Sequence, residues 1–443
     1  MPGAAGLREP FLSALDSRAA VKGSRDALGA GRIWIPLARR VVGNVNTVAR
    51  SVRGYTTTIL GYLLAEQVIA RDPSASRLDV FLKTEQLIAY VRVAINGDVA
   101  LRGTERVQAN LAASPRITLS THPRHQILAS QRIYGLWGYY TGATRSSGLL
   151  MGEPPIPTEA AIQALERILP GISTGAATRD GLRGQLLGLM RRESAVVDLK
   201  GTFAPAAHLL GRAFQPRIRS SEVPLYTHHL LHGGNADSTD GRQRQLVDLL
   251  RDTLPIKDFS FSPAAVGQLA VRSKRLGPSH ADLTDGLLCI ERAAANLALT
   301  QAIFRNLLAQ DGVSIDRHAD MLGRHCGAAF TAVKPREFID LLGHPSIDLT
   351  QPEIARWTGI LQAMASSDSG GIIRSMVQAN AAVMAERGGA PWITIERGVL
   401  RVAMRDDHAA LPPVQGLVQS WPFTFFLDSL RDIAQQLEHP TRG

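Results

Sequence analysis

Apolar residues recur at three- and four-residue intervals through most of this 443-residue chain, and that period dictates helices. The clearest case is residues 77–94 (RLDVFLKTEQLIAYVRVA), apolar on Val80, Leu82, Leu87, Ile88 and Val91 and ended by Asn96-Gly97-Asp98. A second helix is expected from Asn46 or Thr47 to Gln67, on Val52, Tyr55, Ile59, Tyr62 and Leu63. Others are expected over 103–110, over 126–140, over 158–169 with Thr158 as cap, and over 282–308 with Asp282 as cap. Pro36 is expected to open a helix in the apolar run 33–42, and residues 1–30 carry weak helical signals. Period-two alternation occurs around Arg397-Gly398, in Trp392 to Met404, and predicts a β-hairpin. A helix over 423–437 closes the chain. The expected fold is mainly α, a multi-helix globular protein with a small β-hairpin near the C-terminus. Pro154-Pro155-Ile156-Pro157 reads as a stiff linker. It divides a basic helical N-terminal domain, 1–152, from a helical middle domain, 153–390. Residues 391–443, hairpin plus C-terminal helix, are expected to pack on the latter.

The charge is uneven. Forty-nine basic residues face 39 acidic ones, and six of the 49 are lysine. A GC-rich coding bias accounts for the arginine-to-lysine ratio but not for its placement. Residues 27–65 hold Arg32, Arg39, Arg40, Arg50 and Arg53 and no acid. Residues 106–152, again without acid, hold Arg106, Arg116, Arg124, Arg132 and Arg145 with His122 and His125. A third such run, 200–221, holds Arg212, Arg217 and Arg219. Clustered positive charge attracts polyanions, and arginine forks onto phosphate oxygens.

Within the second run, residues 131–147 (QRIYGLWGYYTGATRSS) place Tyr134, Trp137, Tyr139 and Tyr140 among Arg124, Arg132 and Arg145. Aromatic rings between arginines offer unstacked bases a platform and the backbone a phosphate track. The same spacing on a helix also suits core packing. Arg50 and Arg53, three residues apart, share a helix face beside the Thr56–Thr58 hydroxyls, which suits phosphate contact or pairing with neighbouring acids. The candidate nucleic-acid contacts are therefore Arg39, Arg40, Arg50, Arg53, Arg124, Arg132, Tyr134, Trp137, Tyr140 and Arg145.

Catalytic patterns are weak. His228 and His232 have the spacing of a zinc-binding helix, but His229 stands where the general-base glutamate belongs. Asp282 and Asp285 could pair on a metal, yet no Glu-x-Lys accompanies them. Ser366 to Gly371 could bind an anion at a helix start. Phosphate-binding GxxxxGK[ST], GxGxxG before a helix and GxSxG do not occur. No catalytic residue, metal or cofactor is assigned. Two cysteines, Cys289 and Cys326, exclude a disulfide framework and suit a reducing cytoplasm. The N-terminal stretch lacks a signal's apolar core, and no apolar run of membrane-spanning length is expected, so no membrane partner is either.

The stretch Gly43-Asn44-Val45-Asn46-Thr47-Val48-Ala49-Arg50-Ser51-Val52-Arg53-Gly54-Tyr55 resembles a block P/G-x-L-T-T-x-T-x-x-x-R-x-Y/F, with Asn46 and Ala49 at positions where that block has threonines. Together with the 392–404 hairpin, Trp421-Pro422-Phe423 and Phe426-Leu427-Asp428-Ser429-Leu430, it is similar to a group of mainly helical, uncharacterised bacterial proteins encoded beside restriction and phage-defence genes. The resemblance implies a bacterial defence setting and other protein subunits as partners, and it carries over no catalytic residue. The expected function is a non-catalytic DNA-binding subunit of an anti-phage or restriction assembly. The alternative is an interaction scaffold whose arginines face protein.

Overall fold

The computed structural model describes residues 26–174, 181–406 and 409–441. The weak helical signals over 1–30 fall mostly outside them. The chain is mainly α-helical, with three two-stranded antiparallel ladders among the described residues. It forms two compact units, each built from two stretches of chain: 1–41 with 260–425, and 42–259 with 426–443. The expected breaks at 152/153 and 390/391 lie inside the second and the first unit respectively. The proline stretch is no linker. Ile156–Pro157 pairs with Leu150–Met151 in a tight hairpin.

In the first unit, the Ala281–Leu307 helix is the axis, with Leu283, Leu287, Ile290, Leu297, Ile303 and Phe304 buried. With the turn before it, Pro278–Leu307 is long and apolar enough to cross a membrane by length and composition, but 67% of its apolar window is buried. His280 occupies the helix's N-cap position, and Asp282 sits in the first turn, where a carboxylate complements the dipole. The Pro263–Arg275 and Gly31–Arg39 helices pack on it. Pro36 lies inside the latter helix rather than opening it. The expected hairpin is present as Ile393–Glu396 and Val399–Val402. Arg397 and Gly398 both have positive φ, as a type I′ turn requires.

In the second unit, the Val52–Ile69 and Arg77–Asn96 helices form a hairpin buried on nearly every face, because other helices cover it on several sides. At Gly54 the Leu136–Ser146 helix comes so close that an added Cβ would stand 2.3 Å from the Tyr140 ring. The first helix starts later than expected. Asn46 caps the chain ahead of it, its Oδ1 accepting from the Val48 and Ala49 N–H groups. The 103–110 helix runs as Thr104–Ala113. After it comes Arg116–Ser120, a strand paired antiparallel with Ser194–Asp198. Its partner lies far along the chain, so no local pattern betrays it. The closing helix, Leu427–Glu438, belongs to this unit and buries Leu430, Ile433 and Leu437.

Candidate functional site

The single helix expected over 126–140 is broken into Gln131–Tyr134 and Leu136–Ser146. Gly135 stands at the break because the Glu85 carboxylate presses against it. A Cβ there would meet the two Glu85 oxygens at 2.7 and 2.8 Å. Those oxygens accept hydrogen bonds from the Leu136 N–H and from Gln131 Nε2, both at 2.8 Å. Gln131 in turn accepts from Gln86 Nε2 at 3.0 Å, so the break is held by a buried polar network. Burial pushes the Glu85 carboxyl up to about 7 despite these donors.

Behind the break lies a cavity of about 160 Å³. Its apolar wall includes Val48, Ile88, Ala89, Leu101, Ile127 and Leu136. Tyr139, Tyr140, Glu85 and Arg92 complete the interior, while Arg50 and Arg102 also line it. Arg102 is exposed and Tyr140 is buried, so the cavity runs from surface to core. Arg92 is 3% exposed. Its Nε donates to Asp98 Oδ2 at 3.0 Å and its Nη2 to the same oxygen, but Nη1 is buried with no acceptor among the described residues. Burial lowers the Arg92 pKa, against the opposing pull of Asp98. Outside, the Arg102 guanidinium lies 4.5 Å from the centroid of the Tyr139 ring, a cation–π contact. The Tyr134 ring, 48% exposed, is 6.3 Å from that of Tyr139.

The expected contact residues divide. Arg124, Arg132 and Tyr134 are exposed in the second unit, and neither arginine has an acidic partner among the described residues. Arg106 donates to the Arg124 carbonyl at 2.9 Å. Burial, then Arg124, His122 and Arg106, hold His125 below its ordinary pKa, which marks a positive surface here. Arg145 is exposed and pairs with Glu153 at 2.9 Å. Arg50 is half-exposed, its Nε on the Thr47 carbonyl and its Nη1 3.4 Å from Asp432.

Arg53 and Tyr140 are corrected by their burial, and Trp137 by its packing. Arg53 is 1% exposed and forks onto both oxygens of Glu222, with Nε and Nη2 donating to the Gln215 and Arg217 carbonyls. Its donors are spent inside the core, and stripping a partner from such a pair costs about 3–5 kcal/mol, so it does not reach a phosphate. Tyr140 is enclosed, with its hydroxyl accepting from the Ser51 N–H. Trp137 packs on Tyr62 and Phe81 at centroid distances of 5.4 and 5.2 Å. Tyr140 is a core residue, and Trp137, half-buried, packs against the core, as aromatic residues at helical spacing often do.

Arg39 and Arg40 belong to the first unit. Arg40 pairs with Asp285 at 2.8 Å, and its Nη1 lies 3.6 Å from Cys289 Sγ and 3.3 Å from His344 Nε2. Asp285, Cys289 and His344 bring donor atoms within 4.8 Å of one another, close enough for a metal. The chemistry fits poorly. Both ring nitrogens of His344 already face protein donors, Nδ1 the Ser346 N–H at 3.1 Å and Nε2 the Arg40 guanidinium at 3.3 Å. Burial raises the Cys289 thiol, and the guanidinium already supplies the cation. Asp282 is not part of this cluster.

The His228–His232 pair lies on and just after a π-helical turn, Thr227–Leu231. Asn44 and Gln243 explain that turn, since their side-chain amides donate to the His229, Leu230 and Leu231 carbonyls. Burial lowers the pKa of His229 and His232. The expected anion site at Ser366 to Gly371 is filled by Asp368, whose Oδ1 accepts from the Gly371 N–H at 2.8 Å. Comparison with protein-family models, curated proteins and solved structures returns no match.

Proposed function

We propose that the protein binds single-stranded nucleic acid on the second unit, at the surface carrying Arg102, Arg124, Arg132, Tyr134 and Tyr139. In the setting that the 43–55 resemblance implies, it would do so as a non-catalytic DNA-binding subunit of a bacterial defence assembly. The observation that carries the reading is the exposed Tyr134 ring beside the Arg102-capped Tyr139 ring, with Arg124 and Arg132, neither having an acidic partner among the described residues, on the same stretch of chain. Rings of this kind stack any base, at about 1–3 kcal/mol each, and unpaired arginines follow the phosphates.

The test is binding of a labelled single-stranded oligonucleotide over a salt series. Affinity should fall steeply with salt. The double substitution Arg102→Ala/Arg132→Ala should reduce the slope of log K against log salt by about 1.4, since each single-strand phosphate contact contributes about 0.7. Affinity unchanged between low and high salt sinks the reading and turns the search to protein partners.

A further inference from the structure

A strand lying on the surface leaves the cavity behind Tyr139 unexplained. Its volume, about 160 Å³, is close to the roughly 150 Å³ of a cavity that takes up benzene. Val48, Ile88, Leu101, Ile127 and Leu136 give it a mainly apolar wall with few polar groups, the make-up of a small-molecule site. Its charges do not balance. Three arginines line it, Arg50, Arg92 and Arg102, against one acid, Glu85. Two of the three are committed. Arg92 is held by Asp98, and Arg50 donates to the Thr47 carbonyl and lies 3.4 Å from Asp432. Arg102 is exposed, and its guanidinium has neither an acidic partner nor a hydrogen-bond acceptor among the described residues. It rests 4.5 Å from the centroid of the Tyr139 ring, and Tyr139 is itself part of the wall. A guanidinium held by a ring keeps its fork of N–H donors for an anion. Glu85 does little to offset that charge in mildly acidic solution, because burial holds its carboxyl up at about 7.

We propose that the cavity binds a small organic monocarboxylate, its aromatic or short alkyl body in the apolar interior and its carboxylate on Arg102 at the mouth. A bare anion gains nothing from the apolar wall, and an uncharged hydrocarbon gains nothing from Arg102. An acid with a benzene-sized body uses both, and one carboxylate matches one guanidinium in charge and in its pair of acceptor oxygens. The site goes beyond strand binding and does not depend on it, although both draw on Arg102.

The experiment is calorimetric titration of the whole protein with benzoate and with hexanoate, at about pH 6 and without nucleic acid. At least one acid should bind one to one with a submillimolar Kd, within the range that small ligands reach. Benzamide keeps the body without the charge, and acetate keeps the charge without the body. Each should bind at least about ten-fold more weakly. Saturation by neither acid, or equal binding of benzamide or acetate, overturns the assignment. Arg102→Gln, at an exposed position, should bring the acid down to the level of benzamide, and undiminished affinity in that variant also overturns it. Ala89→Leu enlarges a residue of the wall and should abolish binding. A folded Ala89→Leu variant with wild-type affinity would place the acid outside the cavity and overturn the assignment as well. The two readings fail separately. Strand binding without acid binding removes this site and leaves the strand-binding face, and acid binding without strand binding does the reverse.

Discussion

Glu85 is the residue whose burial has the plainest consequence in solution. Its carboxyl is raised to about 7 from an ordinary 4.5, so the folded chain holds that proton more tightly than the unfolded chain. The contribution to stability is fully present below about pH 4.5 and is lost as the pH rises through about 7. Between pH 5 and 8 it amounts to about 3 kcal/mol. Urea denaturation at those two pH values should show wild type losing about this much more than Glu85→Gln, in which the titrating group is gone. The same decline in both proteins would show that Glu85 does not titrate in this range. Glu85, Lys83 and Arg92 all lie on the Arg77–Asn96 helix, where charged residues ordinarily mark a solvent face. Here Lys83 and Glu85 are buried against partners remote in sequence, and Arg92 against Asp98 just past the helix end. Lys83, for example, donates to the Met190 and Arg192 carbonyls.

At the scale of elements, the decisive contacts are between helices that touch backbone to ring. Gly54 lets the Leu136–Ser146 helix approach the Val52–Ile69 helix with Tyr140 lying across it, and the Tyr140 ring meets that of Tyr55 edge-on at 5.1 Å. Gly54→Ala should be destabilising by about 1–3 kcal/mol, the usual penalty for overpacking, although alanine is the better helix former. A denaturant midpoint equal to or above that of wild type would show that the Tyr140 ring yields freely. The break at Gly135 follows the same logic, since the helix yields to a carboxylate and not to a proline. Periodicity marks neither event, because it records which residues are apolar and not which helix lies against them.

For the whole molecule, the division into two units built from interleaved stretches makes the last part of the chain structural for the second unit. Leu427, Leu430, Ile433 and Leu437 are buried there, each worth about 1.5–3 kcal/mol. Arg431 Nη2 donates to the Thr253 and Ile256 carbonyls, and the Thr441 N–H donates to the Ile218 carbonyl. A chain ended at Phe425 should lose the cooperative unfolding of the second unit, read as early proteolytic cleavage within 42–259. Undiminished protease resistance there would mean that this unit is complete without its last helix. The net positive charge of the molecule speaks to association and leaves the fold untouched.

The sequence by itself determined the fold class, the hairpin at 393–402 and the approximate extent of the long helices, because the period of apolar residues and turn chemistry are local quantities. It also located the arginine-rich stretches and the aromatic run from which Tyr134 and Tyr139 emerge on the surface. Tertiary structure alone decided which arginines are spent inside. Arg53 finds Glu222 169 positions away, and Arg92 finds Asp98 but keeps one donor unmade. It alone also made the cavity, from a loop before one helix, the faces of two others and the break at Gly135. A cavity is the space left when distant segments pack, so its shape depends on contacts that one-dimensional order does not encode locally.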